Sequence, residues 1–321
     1  MSLVEQVQTA GVATATATSY AIYTENLTKT YGSSRGIVDI NLQVAEGEVF
    51  GFLGPNGAGK TTTIRVLLNL IKPSKGRALI NGLDAQNDSV QIKKQIGYLP
   101  GEFTLYPNLT GAQTLQYFAN LRGGVDWNYV TSLATRLELD LTKRFKQYSR
   151  GNKQKVGIIQ ALMHKPRLLI LDEPTGGLDP LNQEVFYKMV QEVQAEGRTV
   201  FFSSHILGEV EKTCNRIGIV RDGHLVNVSS ISELTGLKTH SLELTFSGDV
   251  AVEQFNALAG VSKLEKEVNA DRTILRCMVQ ADKLDEVIKL AAHYPILNFV
   301  SREPSLEEVF LEYYREPGQV S

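Results

Sequence analysis

The chain has 321 residues, 42% of them hydrophobic, enough for one substantial apolar core and a second, smaller one. A formal net charge of −2 gives no overall attraction to nucleic acid, and the two cysteines, Cys214 and Cys277, match no metal-binding or disulfide-framework spacing. No apolar run approaches the ~18 residues needed to cross a bilayer, so the chain is not itself a pore, and its thiols read as free in a reducing compartment.

Residues 1–19, which include the stretch QTAGVATATATS, lack the basic and apolar regions of a signal peptide and read as a flexible leader. Residues 20–28 and 37–44 alternate like strands and predict a β-rich lobe. A third apolar run, 49–53, leads into GPNGAGKT, a complete GxxxxGK[ST] loop, and then into 62–70, whose apolar spacing fits a helix packed on a sheet.

Strand, glycine loop and helix are the context in which such a loop holds phosphate. Its glycines let the backbone of Gly54, Asn56, Gly57, Ala58 and Gly59 curl so that successive N–H groups face inward, and the helix adds the positive end of its dipole. Lys60 would reach the β- and γ-phosphates. Thr61 supplies a hydroxyl to Mg²⁺, and Thr62 is placed to bond nearby phosphate. The ligands implied are ATP and Mg²⁺.

Beyond the loop, about 101–165 reads as mostly helical, with apolar spacing at Leu115, Phe118 and Ala119 and again at Ile158, Ile159 and Leu162. Within it Lys143, Arg144, Lys146, Arg150, Lys153 and Lys155 form a basic run with no acid among them, either a solvated face or a source of positive potential for a partner's γ-phosphate or for acidic lipid headgroups. Residues 167–171 suit a central parallel strand, and Asp172 and Glu173 follow it at the carboxyl end, where chemistry sits in such sheets. Asp172 would hold the Mg²⁺ shell and Glu173 would polarise the attacking water. Helix 181–195, strand 199–203, helix 206–213, strand 217–221 and a last strand in GHLVNVSS complete an alternating α/β layout over 20–236.

From 237 to 321 the order restarts as β-α-β-β-α-β with a terminal helix behind Pro304, capped by Ser305 and Glu308. This predicts a small α+β, ferredoxin-like domain. It carries no catalytic or metal constellation, and so reads as an accessory domain for regulation, dimer contact or partner docking.

The two motifs together resemble the ATP-binding subunit of an ABC transporter, with further matches from Tyr31 to His205. The resemblance implies a P-loop ATPase core with a β-rich lobe and a helical subdomain. It implies that Tyr31 stacks on adenine, that Ser149 and Gly151 in YSRGNKQKV grip the γ-phosphate of ATP held by the other subunit, and that Asp179 in TGGLD signals across the interface. It makes His205 the residue that contacts the γ-phosphate and orders the attacking water. Arg150 and Asn152 depart from the family's signature, and Gly101 stands where relatives carry a glutamine, with Glu102 beside it as a substitute acting through water. Ser149 also fits a plain helix cap.

The implied function is ATP-driven dimerisation, as a homodimer or heterodimer, against a separate membrane permease, with the chain cytoplasmic and peripheral on the inner face of the membrane. The ending SLEEVFLEYY resembles the tail of drug, antibiotic-resistance and polysaccharide exporter ATPases. A catalytically weak regulatory subunit, or a soluble ABC-type ATPase unconnected with transport, are the alternatives; no nucleic-acid partner is expected.

Overall fold

The computed structural model describes residues 19–32, 34–102, 105–235, 239–269 and 271–302. The chain begins with β1 (Tyr20–Tyr31), β2 (Ser34–Ile40) and β3 (Gln43–Ala45), passes through β4 (Val49–Leu53) into α1 (Lys60–Leu67), and returns in β5 (Lys75–Ile80) and β6 (Leu83–Asp84). Next come α2 (Ser89–Gln95), β7 (Ile96–Leu99), α3 (Gly111–Leu121), α4 (Trp127–Arg136), α5 (Arg150–Leu162) and β8 (Leu168–Asp172). Then follow α6 (Pro180–Ala195), β9 (Thr199–Ser204), α7 (Leu207–Thr213), β10 (Arg216–Arg221), β11 (His224–Ser230) and α8 (Ile231–Thr235). The last described part holds β12 (Thr239–Ser247), α9 (Val252–Asn256), β13 (Val261–Asn269), β14 (Arg272–Gln280), α10 (Leu284–Ala291) and β15 (Ile296–Arg302).

The central sheet runs β11-β10-β4-β9-β8-β7, with β10, β4, β9, β8 and β7 parallel and β11 antiparallel at one edge. Strands β4, β8 and β9 are buried along their whole length, which is why VFGFL, LLILD and TVFFSS read as unbroken rather than alternating apolar runs. Successive residues still part to opposite faces. Val49, Leu53, Leu169, Leu171 and Phe202 join the core beneath α3 to α6, while Phe50, Phe52, Ile170 and Phe201 join the core shared with α1 and the β-rich lobe. Phe50 and Phe201 are register partners on β4 and β9, and their rings stack at 5.9 Å.

The β-rich lobe is a second sheet, β2-β1-β5-β6, with β3 also on β1. Among the described residues, five helices open on short oxygen-bearing side chains, since Thr110, Asp126, Ser149, Asp179 and Ser230 each accept a backbone N–H of the helix that follows. Strands β12 to β15 form a third, wholly antiparallel sheet of order β13-β14-β12-β15, with its own apolar cluster of Leu242, Leu244, Phe246, Phe255, Leu275 and Val279.

Several boundaries differ from the sequence reading. Helix α1 starts at Lys60 rather than at 62, because the left-handed backbone of Gly59 delivers the chain straight into helical geometry, and it ends at Leu67, ahead of Asn69 at φ 50°. The strand expected over 37–44 is two strands: Asp39, at φ 50°, accompanies a register shift of β2 on β1, Ile40 still pairs with Leu27, and after Asn41 and Leu42 the chain restarts as β3. The alternating layout is not a purely parallel sheet, since β11 turns back on β10 through the tight turn at Asp222 and Gly223, at φ 49° and 80°. Of the leader expected over 1–19 all but residue 19, and the terminal helix with Pro304, Ser305 and Glu308, lie outside the described residues.

Candidate functional site

Strands β4, β9 and β8 are neighbours, so the three segments leaving their carboxyl ends meet above one edge of the sheet. Leaving β4, the chain forms the loop from Gly54 to Thr61. Gly57 and Gly59 take φ 82° and 110°, and a Cβ on Gly59 would stand 2.7 Å from Cγ2 of Ile37. A Cβ on Gly54 would stand 2.4 Å from the Val220 carbonyl, so this glycine lets β10 approach. The loop is pinned to the sheet by Gly54 N–H donating to Ser204 O at 3.2 Å and by Gly223 N–H donating to Ala58 O at 3.0 Å. Pro55, Asn56 and Gly57 form its exposed crown.

Lys60 is 5% exposed, and its ammonium donates to Gly54 O at 2.6 Å and Pro55 O at 3.1 Å. Thr61 Oγ1 donates to Asp172 Oδ2 at 2.8 Å, bringing together residues far apart in sequence. The other oxygen of Asp172, Oδ1, accepts from Ser203 Oγ at 2.5 Å.

Glu173 sits at φ 49°, an uncommon backbone for a non-glycine residue that persists only where the surroundings fix it. Its N–H donates to the carbonyl of Ser203 at 3.2 Å and to Ser203 Oγ at 3.1 Å, and Gln154 Nε2 donates to the carbonyls of Glu173 and Pro174 at 3.2 and 2.9 Å. The carboxylate thus lies between two cationic or basic groups. Oε1 faces Lys60 Nζ at 3.1 Å, and Oε2 faces His205 Nδ1 at 2.8 Å. Oε1 is buried and has no hydrogen-bond partner, so the ion pair with Lys60 is its polar contact.

These features fit magnesium triphosphate. The donor set of Thr61 and Asp172 is all oxygen, as a small hard cation requires, and the glycine loop leaves no Cβ where its curl is tightest. Glu173 Oε1, buried and without a hydrogen bond, faces the loop through its ion pair with Lys60.

Other residues singled out from sequence lie in three places. Tyr31, 44% exposed with Lys29 Nζ 5.4 Å from its ring centroid, sits beside Gly36, the carbonyl of which borders Gly59. Thr62 lies in the first turn of α1. Ser149 caps α5 by accepting from Asn152 N–H at 3.2 Å. Gly151 packs so closely on residue 177 that a Cβ would stand 2.4 Å from Gly177 O, and the Arg150 stem also lies across Gly177. Asp179 caps α6, and the backbone and side-chain amides of Asn182 hold its carboxyl below the usual carboxylate range. Gly101, rather than Glu102, lies against the metal acid: a Cβ there would stand 3.3 Å from Asp172 Oδ2, while Glu102 lines a groove.

Sequence reasoning missed Ser203, Gln154, Ser204, Thr175 and Glu209. All five are buried polar side chains whose bonds converge on the Asp172 and Glu173 segment or on the strand end before His205.

Fold and site together define a P-loop nucleoside triphosphatase. The family model described as ABC transporter matches residues 37–176. A bacitracin transport ATP-binding protein of Enterococcus faecalis is 42% identical over 218 residues, 67% of this chain and 71% of the relative. A linearmycin resistance ATP-binding protein of Bacillus subtilis (strain 168) is 33% identical over 302 residues, 89% of this chain and 96% of the relative. The dimeric structure of a post-hydrolysis ATP-binding cassette with ADP and Pi superimposes with a TM-score of 0.60 at 25% identity, covering 65% of this chain and 98% of that one. The chain belongs to the ATP-binding proteins of ABC transporters. It is an ATPase that uses ATP and Mg²⁺, acts as a dimer and works with a separate permease.

Proposed function

We propose that the chain powers an exporter of antibiotic-like molecules from the inner face of the membrane, with Glu173 as its catalytic base. The exporter assignment rests on the bacitracin transport and linearmycin resistance relatives, the latter aligned over nearly its whole length. Peripheral attachment follows from the permease partnership and from the fact that no helix among the described residues is long and apolar enough to cross a membrane.

The observation that carries the mechanism is the Lys60, Glu173, His205 line. Lys60 supplies the fixed cation of the loop, and the N–H groups of Asn56, Gly57, Gly59 and the first turn of α1 to Thr62 add donors toward phosphate oxygens. Thr61 and Asp172 would hold Mg²⁺, which neutralises charge on the β- and γ-phosphates. Glu173 orients water and accepts its proton. His205, at 2.8 Å, holds the Glu173 carboxylate in that orientation. Tyr31 offers an exposed ring for adenine, and Ser149, Gly151 and Asp179 lie on elements that face the second subunit's nucleotide. Residues 237–321 act as an accessory domain in this scheme.

A groove of about 1110 Å³ supports permease docking between the core and the helical part. Leu70, Val90, Leu105, Phe118 and Leu121 line it, and Glu102 stands on its rim. An amphipathic helix from a membrane subunit fits such a surface.

The decisive experiment is Glu173→Gln, with oligomeric state measured in ATP and in ADP. The expected result is a dimer trapped in ATP and a monomer in ADP, with hydrolysis lost. A variant that stays monomeric in both at the same concentration refutes the assignment.

A further inference from the structure

Glu209 has no cationic partner among the bonds and ion pairs described for its carboxylate, yet it is 4% exposed. Burying a carboxylate is costly unless hydrogen bonds replace its water, and here two hydroxyls do so. Thr175 Oγ1 donates to Oε1 at 2.5 Å, and Ser204 Oγ donates to Oε2 at 2.7 Å. Both hydroxyls are themselves buried, Thr175 at 4% and Ser204 at 0% exposure.

The places of those two residues give the arrangement its meaning. Thr175 follows Glu173 by two positions, on the segment that leaves β8. Ser204 immediately precedes His205, at the end of β9, and its carbonyl accepts from Gly54 N–H at the start of the phosphate loop. One carboxylate in α7 therefore bridges the two segments that carry Glu173 and His205, and Ser204 extends the chain of bonds to the loop. Ser204 Oγ also accepts from Ile206 N–H at 2.9 Å, which fixes the hydroxyl so that its proton goes to Glu209.

We propose that Glu209 is a positioning residue for hydrolysis: by bonding Thr175 and Ser204 together, it sets the distance and orientation between Glu173 and His205 without touching nucleotide. The inference rests on Glu173 and His205 acting as assigned above. A shift in the 2.8 Å pairing of these residues changes how the carboxylate meets water, and so affects turnover more than ATP binding.

The test compares Thr175→Val, which keeps the shape and loses the hydroxyl, with Thr175→Ser, which keeps the hydroxyl. Steady-state hydrolysis should show kcat down about tenfold in the valine variant with KM for ATP within about twofold, and kcat restored to within about twofold in the serine variant. In isotope-labelled protein the His205 ring resonances should move in Thr175→Val, although residue 175 is not His205's bonding partner, and return in Thr175→Ser. Unchanged kcat and unchanged His205 resonances in Thr175→Val overturn the proposal. If that variant does not fold, Ser204→Ala removes the other arm and carries the same decision by the same two readouts. Glu173→Gln serves as control. Wild-type hydrolysis in Glu173→Gln defeats the assignment of Glu173 itself, whereas an inactive Glu173→Gln beside a fully active, spectroscopically unchanged Thr175→Val defeats the role of Glu209 alone.

Discussion

His205 Nδ1 stands 2.8 Å from Oε2 of Glu173, whose other oxygen faces Lys60 at 3.1 Å, so the carboxylate has one fixed orientation before nucleotide arrives. His205→Ala removes the outer support and leaves Lys60 to pull the carboxylate inward. The expected outcome is a fall in kcat of about 100-fold with little change in KM for ATP, read from steady-state hydrolysis.

Ser203 holds both acids at once, donating its hydroxyl to Asp172 Oδ1 at 2.5 Å and accepting the Glu173 N–H at 3.1 Å. Ser203→Ala frees Asp172 to rotate away from Thr61. A rise of about tenfold in the Mg²⁺ concentration giving half-maximal hydrolysis is expected, measured by metal titration at saturating ATP.

Gly177 takes φ 85°, and a Cβ there would stand 3.1 Å from Cγ of Arg150. Gly177→Ala should cost about 1–3 kcal/mol in chemical denaturation through backbone strain and this contact together. Adding Arg150→Gly removes the contact and leaves the strain, so the double variant recovers only part of the loss.

How much of this was legible in the sequence depends on how local each signal is. The phosphate loop and the two acids after β8 are contiguous motifs, and the helical region and central strands follow from apolar runs long enough to have one reading. Ser203, Gln154 and Glu209 were invisible for the opposite reason. Each is a single polar residue in a strand or helix, and only the juxtaposition of β8, β9, α5 and α7 shows that its bonds end at the site. The break between β2 and β3 was missed because Val38, Ile40, Leu42 and Val44 keep the apolar alternation running across Asn41 and Leu42, where the strand is interrupted, and the positive φ of Asp39 leaves no mark in the pattern. The Ser149 cap was legible, because a serine before a helical run bonds the helix that follows it.

His164 offers a pH test at the wall of the groove. Burial, then the charge of Arg122, pushes its imidazole down from 6.5 to about 4, while the Ile96 carbonyl accepts from Nε2 at 3.0 Å and Nδ1 has no partner. Between these values the unfolded chain binds a proton that the folded chain refuses. The stability this site contributes is therefore complete above pH 6.5 and is lost as pH falls from 6.5 toward about 4. His164→Gln keeps a donor for Ile96 and cannot titrate. Its unfolding free energy should fall less than that of the unaltered protein between about pH 7.5 and about pH 5, by on the order of 1–2 kcal/mol after allowance for solvent at the groove wall.

Strand β4 lies between β9 and β10, so Val49 to Leu53 pairs with residues made some 150 positions later at the ribosome, Val200 to Ser204 and, beyond them, Arg216 to Ile219. Synthesis order and assembly order therefore differ. The phosphate loop leaves the exit tunnel early, but its supporting strand gains its first pairing partner only when Val200 to Ser204 emerge, nearly two thirds of the way along the polypeptide. Nascent chains stopped before Thr199 hold every atom of the loop and the β-rich lobe packed beside it, but neither strand that pairs with β4 and no Ser204 carbonyl to pin Gly54, which makes ATP capture a late event in the biogenesis of the molecule.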